Sequence, residues 1–168
     1  MNTIIRKMRP EEHSLLQEFL YQAIYLPQGV EPPLRSVVDL PELQVYIADF
    51  GTRSGDHCMV AEVAGKAVGA AWCRIMEDYG HIDNDAPSLA ISLLPKYRGK
   101  GIGTRLLNGL LLLLRENGYQ RASLSVQKEN PALRLYQRTG FRILAEGGTE
   151  YLMLWDGTQG DTPVFWED

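Results

Sequence analysis

The sequence predicts one domain of the α/β (α+β) class, built on a single mixed sheet flanked by helices. The chain has 168 residues, of which 45% are hydrophobic, so it can bury a core of its own and fits a single domain over 1–168. The predicted elements follow the order β-α-α-β-β-β-α-β-α-β-β, which is typical of a sheet covered by helices. An apolar run at 88–94 precedes a glycine-rich loop and a leucine-rich helical pattern, as expected of a central strand followed by a covering helix.

The N-terminal half is predicted to contain one strand, two helical segments and a hairpin. Pro10 stands at the first turn of the first helix, and Glu11 and Glu12 place negative charge at its positive end. Proline and glycine separate the two helical segments, and a turn at 64–66 separates two runs of strand-forming residues. The predicted elements are a strand at 3–6, a helix from Pro10 to Ile24, a loop at 27–33, a helical segment at 35–50 broken near Pro41, and hairpin strands at 58–63 and 67–75.

The C-terminal half is predicted to alternate strands and helices. The helix after the glycine-rich loop ends at Asn117-Gly118, a common C-terminal stop. Asn130 precedes Pro131 and is expected to cap the next helix, which ends at Gly140. The predicted elements are a loop at 77–87, a strand at 89–94, helices at 102–117 and 131–139, a strand at 122–126, and a hairpin at 141–145 and 150–155.

Composition and charge argue against several classes of function. The net charge of −4 argues against a protein that binds nucleic acid through phosphate contacts, although Arg98, Lys100 and Arg105 form a local basic patch. No apolar run has the length of a membrane span, and none follows the basic N-terminus, so we expect a cytoplasmic protein without membrane contact. Cys58 and Cys73 lack metal-ligand spacing, so we expect two buried thiols and no metal site.

The strongest functional signal is the basic, glycine-rich stretch 95–104. Glycines let a ligand approach the backbone, and the first amides of a helix have no acceptor within it, so such a loop can bind a phosphate. The stretch does not match a P-loop, because no lysine precedes a Ser or Thr. It does not match the dinucleotide fingerprint either, because Leu106 stands where the third glycine is needed. Arg98, Gly101 and Gly103 do match the pattern Arg/Gln-x-x-Gly-x-Gly.

Three features together resemble the GCN5-related N-acetyltransferase superfamily. They are the stretch Pro-Lys-Tyr-Arg-Gly-Lys-Gly-Ile-Gly at 95–103, Asn130 further along the chain, and Tyr136 followed by Gly140-Phe141. The resemblance covers about half of the chain, with a cofactor half at about 88–141. It implies a mostly antiparallel central sheet, acetyl-CoA as cofactor, and transfer of the acetyl group to a primary amine by direct attack in a ternary complex.

The same resemblance implies roles for individual residues. The backbone of Ile91, Ser92 and Leu93 would pair with the pantetheine arm of CoA, and an amide there would stabilise the oxyanion. Asn130 would hydrogen-bond to the arm, although capping the helix is the alternative role for this residue. Tyr136 would lie beside the sulfur, and we expect its hydroxyl to protonate the departing thiolate. The pyrophosphate would be held by the loop amides of Arg98, Gly99, Lys100, Gly101, Ile102, Gly103 and Thr104.

The base that deprotonates the amine is left open by the sequence. Some relatives carry a glutamate on the strand before Asn130, but the matching residue here is Ser125, which is not a base. The remaining candidates are a relayed water and five residues of the 77–87 loop, namely Glu77, Asp78, His81, Asp83 and Asp85. Two other functions also stay open. The first is a transferase that moves another acyl group or acts on a non-amine acceptor. The second is a non-catalytic sensor that binds acyl-CoA.

Acceptor and oligomeric state are predicted only by class. The expected acceptor is a small-molecule amine or a peptide amine. The aromatic residues of the chain are suited to binding either one. The apolar faces of the leucine-rich helix could form the interface of a homodimer. The alternative is that they are buried within the domain. The aromatic residues concerned are Tyr21, Tyr25, Tyr46 and Tyr79 for the acceptor, and Trp155, Phe165 and Trp166 for docking on the domain or on a partner.

Overall fold

A computed structural model describes residues 2–78 and 80–158 and contains one seven-stranded sheet. The strands are β1 (Thr3–Lys7), β2 (His57–Val63), β3 (Lys66–Arg74), β4 (Ser88–Leu93), β5 (Arg121–Gln127), β6 (Arg142–Glu146) and β7 (Glu150–Asp156). Their order in the sheet is β1-β2-β3-β4-β5-β7-β6. All neighbouring strands run antiparallel except β4 and β5, which are parallel. The predicted α/β class and the mixed, mostly antiparallel sheet are therefore confirmed.

The helices differ from the prediction mainly in the N-terminal half. The α-helices are α1 (Leu16–Gln22), α2 (Pro41–Gln44), α3 (Ile102–Glu116) and α4 (Ala132–Arg138), and 3-10 turns cover Pro10–Leu15, Arg35–Asp39 and Pro95–Tyr97. The first predicted helix thus begins as a 3-10 turn and ends before Ile24. The second is interrupted at Leu40, whose extended backbone (φ −64°, ψ 140°) is the conformation favoured before a proline.

The two faces of the sheet bury separate cores, and β4 contributes to both. Successive side chains of a strand point to opposite faces. Leu89 is buried in the core under α3, whereas Ala90 packs against the core formed with α1. Ser92 shares the face of Ala90, and its hydroxyl donates a 2.6 Å hydrogen bond to the carbonyl of Phe19 in α1. The central strand is therefore covered on both faces, as its apolar sequence predicts.

The strands β4 and β5 are paired only at their beginning. Ser88 stands opposite Ser123, and no further residue of β4 is in register with β5. Since β4 runs on to Leu93 and β5 to Gln127, the two parallel strands separate toward their C-terminal ends. This separation opens the sheet at the point where α3 and α4 begin.

A buried ion pair attaches the segment after α2 to the sheet. The Arg74 guanidinium makes two 2.9 Å bonds to the Asp56 carboxylate and also donates to the carbonyls of Val45 and Ala48. Both charged side chains are fully buried, so each compensates for the desolvation of the other. The pair thereby fixes the position of Tyr46, which lies within the attached segment.

The thiols and the leucine-rich helix lie largely within the domain. Cys58 and Cys73 are free and buried, as predicted. In α3 the leucine side chains at 106, 107, 110, 111, 113 and 114 are buried, whereas Leu112 is 47% exposed. Trp155 is buried in the core under α3. Tyr79, Phe165 and Trp166 lie outside the described residues. Within those residues, no helix combines the length and apolarity needed to cross a bilayer.

Candidate active site

A cleft of about 960 Å³ lies at the C-terminal end of β4 and beside the connection from β5 to α4. Its walls are the residues that follow α1, the glycine-rich loop with the first turn of α3, and the exposed side of α4. Clefts at the carboxyl ends of parallel strands are the usual ligand sites of open sheets. The cleft is lined by most of the site residues predicted from the sequence, namely Ile91, Ser92, Leu93, Arg98, Gly99, Gly101, Gly103, Thr104, Asn130 and Tyr136. Of the other two, Lys100 is exposed on the same loop and the Ile102 side chain is buried in the core.

The glycine-rich loop presents a run of unpaired amides at the N-terminus of α3. The amide of Arg98 donates to the Pro95 carbonyl, and that of Arg105 donates to the Gly101 carbonyl. Within residues 2–78 and 80–158, the six amides between them, from Gly99 to Thr104, donate to no acceptor. The unpaired amides therefore begin one residue later than the sequence predicts. Such a run at a helix N-terminus forms a binding site for an anion.

Two glycines give this loop its shape. Gly99 has φ +73° and Gly101 has φ +81°, in the left-handed region that favours glycine. A Cβ atom at either position would meet no protein atom within 4 Å. The glycines are therefore needed for backbone conformation and for close approach of a ligand, not for packing within the protein.

Basic side chains from α4 add positive charge to the cleft. Arg134 and Arg138 line it, and Arg138 donates to the hydroxyl of Thr104 at 3.3 Å. Sequence analysis missed both residues. Their spacing of four within a predicted helix was the available signal, because residues i and i+4 share one helix face.

Arg98 has a different role from the one its charge suggests. Its guanidinium donates to the carbonyl of Leu93 at 3.1 Å and to both the backbone and the side-chain oxygen of Gln22. The side chain therefore connects the end of β4 to the end of α1. This contact fixes the width of the cleft between those two elements.

The edge of β4 that faces the gap offers backbone groups to a ligand. In an antiparallel pair, alternate residues direct both their N–H and C=O groups to the same neighbour. Leu94 donates to Val68 beside β3, so Ser92, which has the same parity, also bonds toward β3. Ile91 and Leu93 consequently direct their backbone groups toward the gap. Ser92 contributes through its hydroxyl, which holds α1.

Asn130 caps α4, as predicted. Its Oδ1 accepts the amide of Ala132, the first residue of the helix, at 2.9 Å. The side chain also lines the cleft. Next to it, the Tyr25 hydroxyl donates to the Glu129 carbonyl at 3.2 Å, so the segment after α1 reaches across to the β5–α4 connection.

Tyr136 lies in the last turns of α4 with its ring almost fully buried. It is 8% exposed and packs edge-on against Phe141, with the ring centroids 5.9 Å apart. Gly140, at φ +104°, ends the helix, and the Phe141 amide donates to the Tyr136 carbonyl at 2.9 Å. Burial raises the pKa of Tyr136 far above its ordinary value, so the phenol keeps its proton at neutral pH.

The loop between β3 and β4, called the 76–87 loop, covers the gap on the face of the sheet that carries α1 and α2. Its acidic residues make different contacts. Asp78 accepts the hydroxyl of Tyr46 on one oxygen and that of Ser88 on the other, each at 2.9 Å. Asp83 forms an ion pair with Arg121 at 2.8 Å, which lowers the pKa of its carboxyl. The remaining candidates from the sequence are Glu77 and Asp85, which are exposed, and His81, whose buried Nδ1 has no partner among the described residues.

Sequence analysis also missed an acid that the fold brings to Ser125. The Ser125 hydroxyl donates to Oε2 of Glu150 at 2.8 Å, from β5 to the neighbouring strand β7. The two residues are far apart in the chain, and only the antiparallel pairing of the strands relates them. No local sequence signal could have found this pair.

The chain matches known proteins over part of its length. A model of the acetyltransferase (GNAT) family matches residues 20–141. A ribosomal protein bS18-alanine N-acetyltransferase of Haemophilus influenzae is 36% identical over 74 residues, which are 44% of this chain and 47% of that protein. N-alpha-acetyltransferase 50 of Danio rerio is 35% identical over 92 residues, or 54% of either protein. The matched parts span about half the length of these relatives.

A solved structure extends the similarity to nearly the whole fold. The PaiA N-acetyltransferase of Thermoplasma acidophilum, in complex with coenzyme A, superposes with a TM-score of 0.65 at 19% identity. The superposition covers 93% of this chain and 99% of that one. It therefore supports the same arrangement of sheet and helices for the residues outside the family match.

Proposed function

The chain belongs to the acetyltransferase (GNAT) family, and from this we propose that it transfers the acetyl group of acetyl-CoA to a primary amine by direct attack in a ternary complex. The observation that carries the proposal is the run of six unpaired amides at the N-terminus of α3, which opens onto the cleft between β4 and β5. A pyrophosphate requires several such donors together with space close to the backbone. Gly99 to Thr104 supply both.

The rest of the cleft fits the other parts of acetyl-CoA. Arg134 and Arg138 supply positive charge beside the pyrophosphate cradle. The N–H and C=O of Ile91 and the N–H of Leu93 are oriented to pair with the pantetheine arm, in the way that an added strand pairs with a sheet edge, while the Leu93 C=O already accepts from Arg98. Asn130 lines the same path and has a side-chain amide that can donate to the arm.

Acetyl-CoA supplies an activated acetyl thioester, and we assign the proton donor for its departing sulfur to Tyr136. The phenol lines the cleft and carries its proton at neutral pH because burial disfavours the phenolate. A group in this state can stabilise a developing thiolate by hydrogen bonding and then protonate it. The β4 amides that face the gap can stabilise the negative charge on the carbonyl oxygen.

We infer that the amine approaches from the face of the sheet opposite Tyr136. Tyr136 belongs to the core under α3, whereas Ser125 lies on the other face of β5, since it alternates with the buried Leu124 and Val126. The opening between β4 and β5 connects the two faces. The acceptor site is therefore assigned to the face that carries α1, α2 and the 76–87 loop.

The names of the relatives support an amine of a protein N-terminus as the first acceptor to test. The H. influenzae relative is named for an alanine of ribosomal protein bS18, and the D. rerio relative is named an N-alpha-acetyltransferase. Both matches cover about half of the relative, so the acceptor is tested together with other amines.

The experiment combines cofactor binding with release of free thiol. Acetyl-CoA binding is measured by calorimetry, and thiol release is measured with an alanine-initiated hexapeptide, an N-terminally blocked hexapeptide containing one lysine, and spermidine. We expect acetyl-CoA binding and amine-dependent thiol release with at least one of the three. Tight binding of acetyl-CoA without amine-dependent thiol release would indicate an acyl-CoA sensor instead of an enzyme. Faster thiol release from propionyl-CoA or succinyl-CoA would indicate that the transferred group is not acetyl.

A further inference from the structure

Glu150 is a half-buried acid at the beginning of β7, on the face of the sheet assigned to the acceptor. It stands opposite Gln127 of β5 in the antiparallel register, and directly opposed residues share one face of a sheet. Ser125 lies two residues before Gln127 and therefore faces the same way. The 2.8 Å bond from the Ser125 hydroxyl holds one oxygen of the Glu150 carboxylate at this place.

The position of Ser125 relates this carboxylate to the gap between the strands. Ser88 is the one residue of β4 in register with β5, opposite Ser123, and Ser125 lies two residues further along β5. On β4, Ile91, the first residue expected to pair with the pantetheine arm, comes three residues after Ser88. Ser125 and its bound carboxylate thus lie on the β5 side of the point where the two strands begin to separate.

Several other acids of the described residues are already neutralised or fully bonded. Ion pairs hold Glu12 and Glu62 with Arg6, Glu18 with Arg35, Asp56 with Arg74, Asp83 with Arg121, and Glu146 with Lys128. Asp78 accepts a hydroxyl on each oxygen. Within residues 2–78 and 80–158, Glu150 forms no ion pair and only its Oε2 accepts a side-chain hydrogen bond. It therefore keeps an oxygen and a negative charge for a cationic ligand.

We propose that the Glu150 carboxylate, oriented by Ser125, binds the ammonium group of the acceptor and accepts its proton. This inference rests on the proposed function and deepens it, because it assigns the acceptor to the class of amines that arrive as cations. An anionic carboxylate with one free oxygen binds such a group by a charge-assisted hydrogen bond. Ser125, which stands where some relatives carry a glutamate base, thus holds Glu150, the base supplied by the neighbouring strand β7.

The ammonium gives one proton to Glu150, and the free amine forms a C–N bond to the acetyl carbon. The C–S bond then breaks, the thiolate takes the proton of Tyr136, and the second proton of the nitrogen restores the phenol, directly or through water. Glu150 releases its proton to solvent, so one amine cation and one thioester yield an amide, a thiol and one proton.

The test replaces Glu150 and follows kcat/KM with pH. The substitution Glu150→Gln keeps the size of the side chain but removes its charge and its ability to take a proton, whereas Glu150→Asp keeps a shorter carboxylate. With the alanine-initiated hexapeptide at pH 7, we expect E150Q to lower kcat/KM about 100-fold, a typical contribution of a general base, and E150D to lower it less. Acetyl-CoA affinity is expected to stay within about twofold of wild type.

The pH profile distinguishes a proton acceptor from a structural residue. The N-terminal amine of the peptide has a pKa near 8, so the fraction of free amine rises about tenfold between pH 7 and pH 9. E150Q must bind amine that is already neutral, and its deficit relative to wild type is expected to shrink at least tenfold over that range. The neighbouring segments also carry Asp78, His81, Lys128, Glu129 and Glu146, and all of these groups are unchanged in both proteins.

Asp156→Asn is the matched control, because Asp156 is an acid on the same face of β7 at its other end, next to Arg121 of β5. We expect D156N to have the kcat/KM of wild type. Wild-type kcat/KM in E150Q, an equal deficit in E150Q and E150D, or a deficit independent of pH would overturn the role of Glu150. If the wild-type protein releases no thiol with the hexapeptides or spermidine, the proposed function fails and this inference fails with it.

Discussion

Ser88 of β4 and Ser123 of β5 are paired at the last point where these two parallel strands are in register. Their hydroxyls lie 3.5 Å apart, and both are tied to the 76–87 loop, Ser88 through Asp78 and Ser123 through the carbonyl of Gly80. Beyond this pair the sheet opens, and a helix begins after each strand. The pair therefore sets where the cleft starts, and the loop closes one face of the sheet at that point.

Replacement of Tyr136 by Phe is expected to slow the chemical step without weakening acetyl-CoA binding. The change removes only the hydroxyl, and the ring keeps its contact with Phe141. We expect kcat to fall about 100-fold or more, which is a typical contribution of a general acid, with acetyl-CoA affinity within about twofold of wild type. Because burial raises the pKa of Tyr136, wild-type activity should show no loss from phenol ionisation up to pH 10. Thiol-release assays and calorimetry provide both measurements.

The control for Tyr136 is Tyr119→Phe, since Tyr119 lies away from the cleft and packs against His57. This variant is expected to have the kcat of wild type. Full kcat in the Tyr136 variant, with acetyl-CoA and amine still binding together, would show that another group protonates the sulfur.

Gly101→Ala is expected to weaken acetyl-CoA binding. At φ +81° an alanine is strained by about 1 kcal/mol, and relief of this strain rotates the amides that face the ligand. We expect roughly tenfold weaker binding of acetyl-CoA by calorimetry, together with a stability loss of about 1 kcal/mol in urea unfolding.

Gly65→Ala separates the two effects of that substitution. Gly65 has φ +78° in the turn between β2 and β3, and a Cβ there also meets no atom within 4 Å. It should therefore lose as much stability as the Gly101 variant while keeping wild-type affinity for acetyl-CoA. Equal affinity in the two variants would mean that the loop backbone does not hold the cofactor.

The parts of the site that could be predicted from the sequence are those determined by local chain geometry. The glycines of the 99–104 loop, the cap at Asn130 and the helix end at Gly140 follow from backbone preferences of single residues. Tyr136 is implied by the family resemblance, whose motif places it between Asn130 and Gly140. These residues lie on two strand–loop–helix segments, and one parallel pairing brings the two segments together.

The parts that could not be predicted depend on pairs of residues from distant segments. Arg74 and Asp56 form a buried ion pair that neither residue signals in the sequence. Glu150 reaches Ser125 only because β7 is inserted next to β5, while β6, which precedes it in the chain, lies at the edge. The first helix was predicted too long for a different reason, because apolar spacing alone does not distinguish an α-helix from a 3-10 turn.

Asn130 is expected to have two separable roles, in capping α4 and in binding the cofactor. Asn130→Ala removes both and should cost about 1 kcal/mol of stability as well as affinity for acetyl-CoA. Asn130→Ser keeps a neutral capping oxygen but has no amide donor. Its stability should lie within about 0.5 kcal/mol of wild type, while its affinity for acetyl-CoA falls about fivefold, the effect of one lost hydrogen bond. Wild-type affinity in the serine variant would leave capping as the function of this residue.

Glu12 is expected to make stability depend on pH in acid. The Arg6 guanidinium, 2.8 Å away, and the Arg9 amide hold the pKa of Glu12 at about 2. Because the folded-state pKa is lowered, this stabilisation is fully present above the ordinary glutamate pKa of about 4.3 and is lost as the pH falls toward 2. Glu12→Gln keeps a side-chain oxygen for the Arg9 amide and loses the ion pair, so we expect a loss of about 1 kcal/mol at pH 7.

Urea unfolding from pH 7 to pH 2 tests this prediction with Glu11→Gln as the control. Glu11 is the exposed neighbour of Glu12, so E11Q makes the same change in charge without removing an ion pair. The difference in unfolding free energy between wild type and E12Q should be largest above pH 5 and close toward pH 2. The difference for E11Q should stay small throughout. An E12Q deficit that is constant with pH would assign the effect to packing of the Glu12 side chain, because only the ionised carboxylate attracts Arg6.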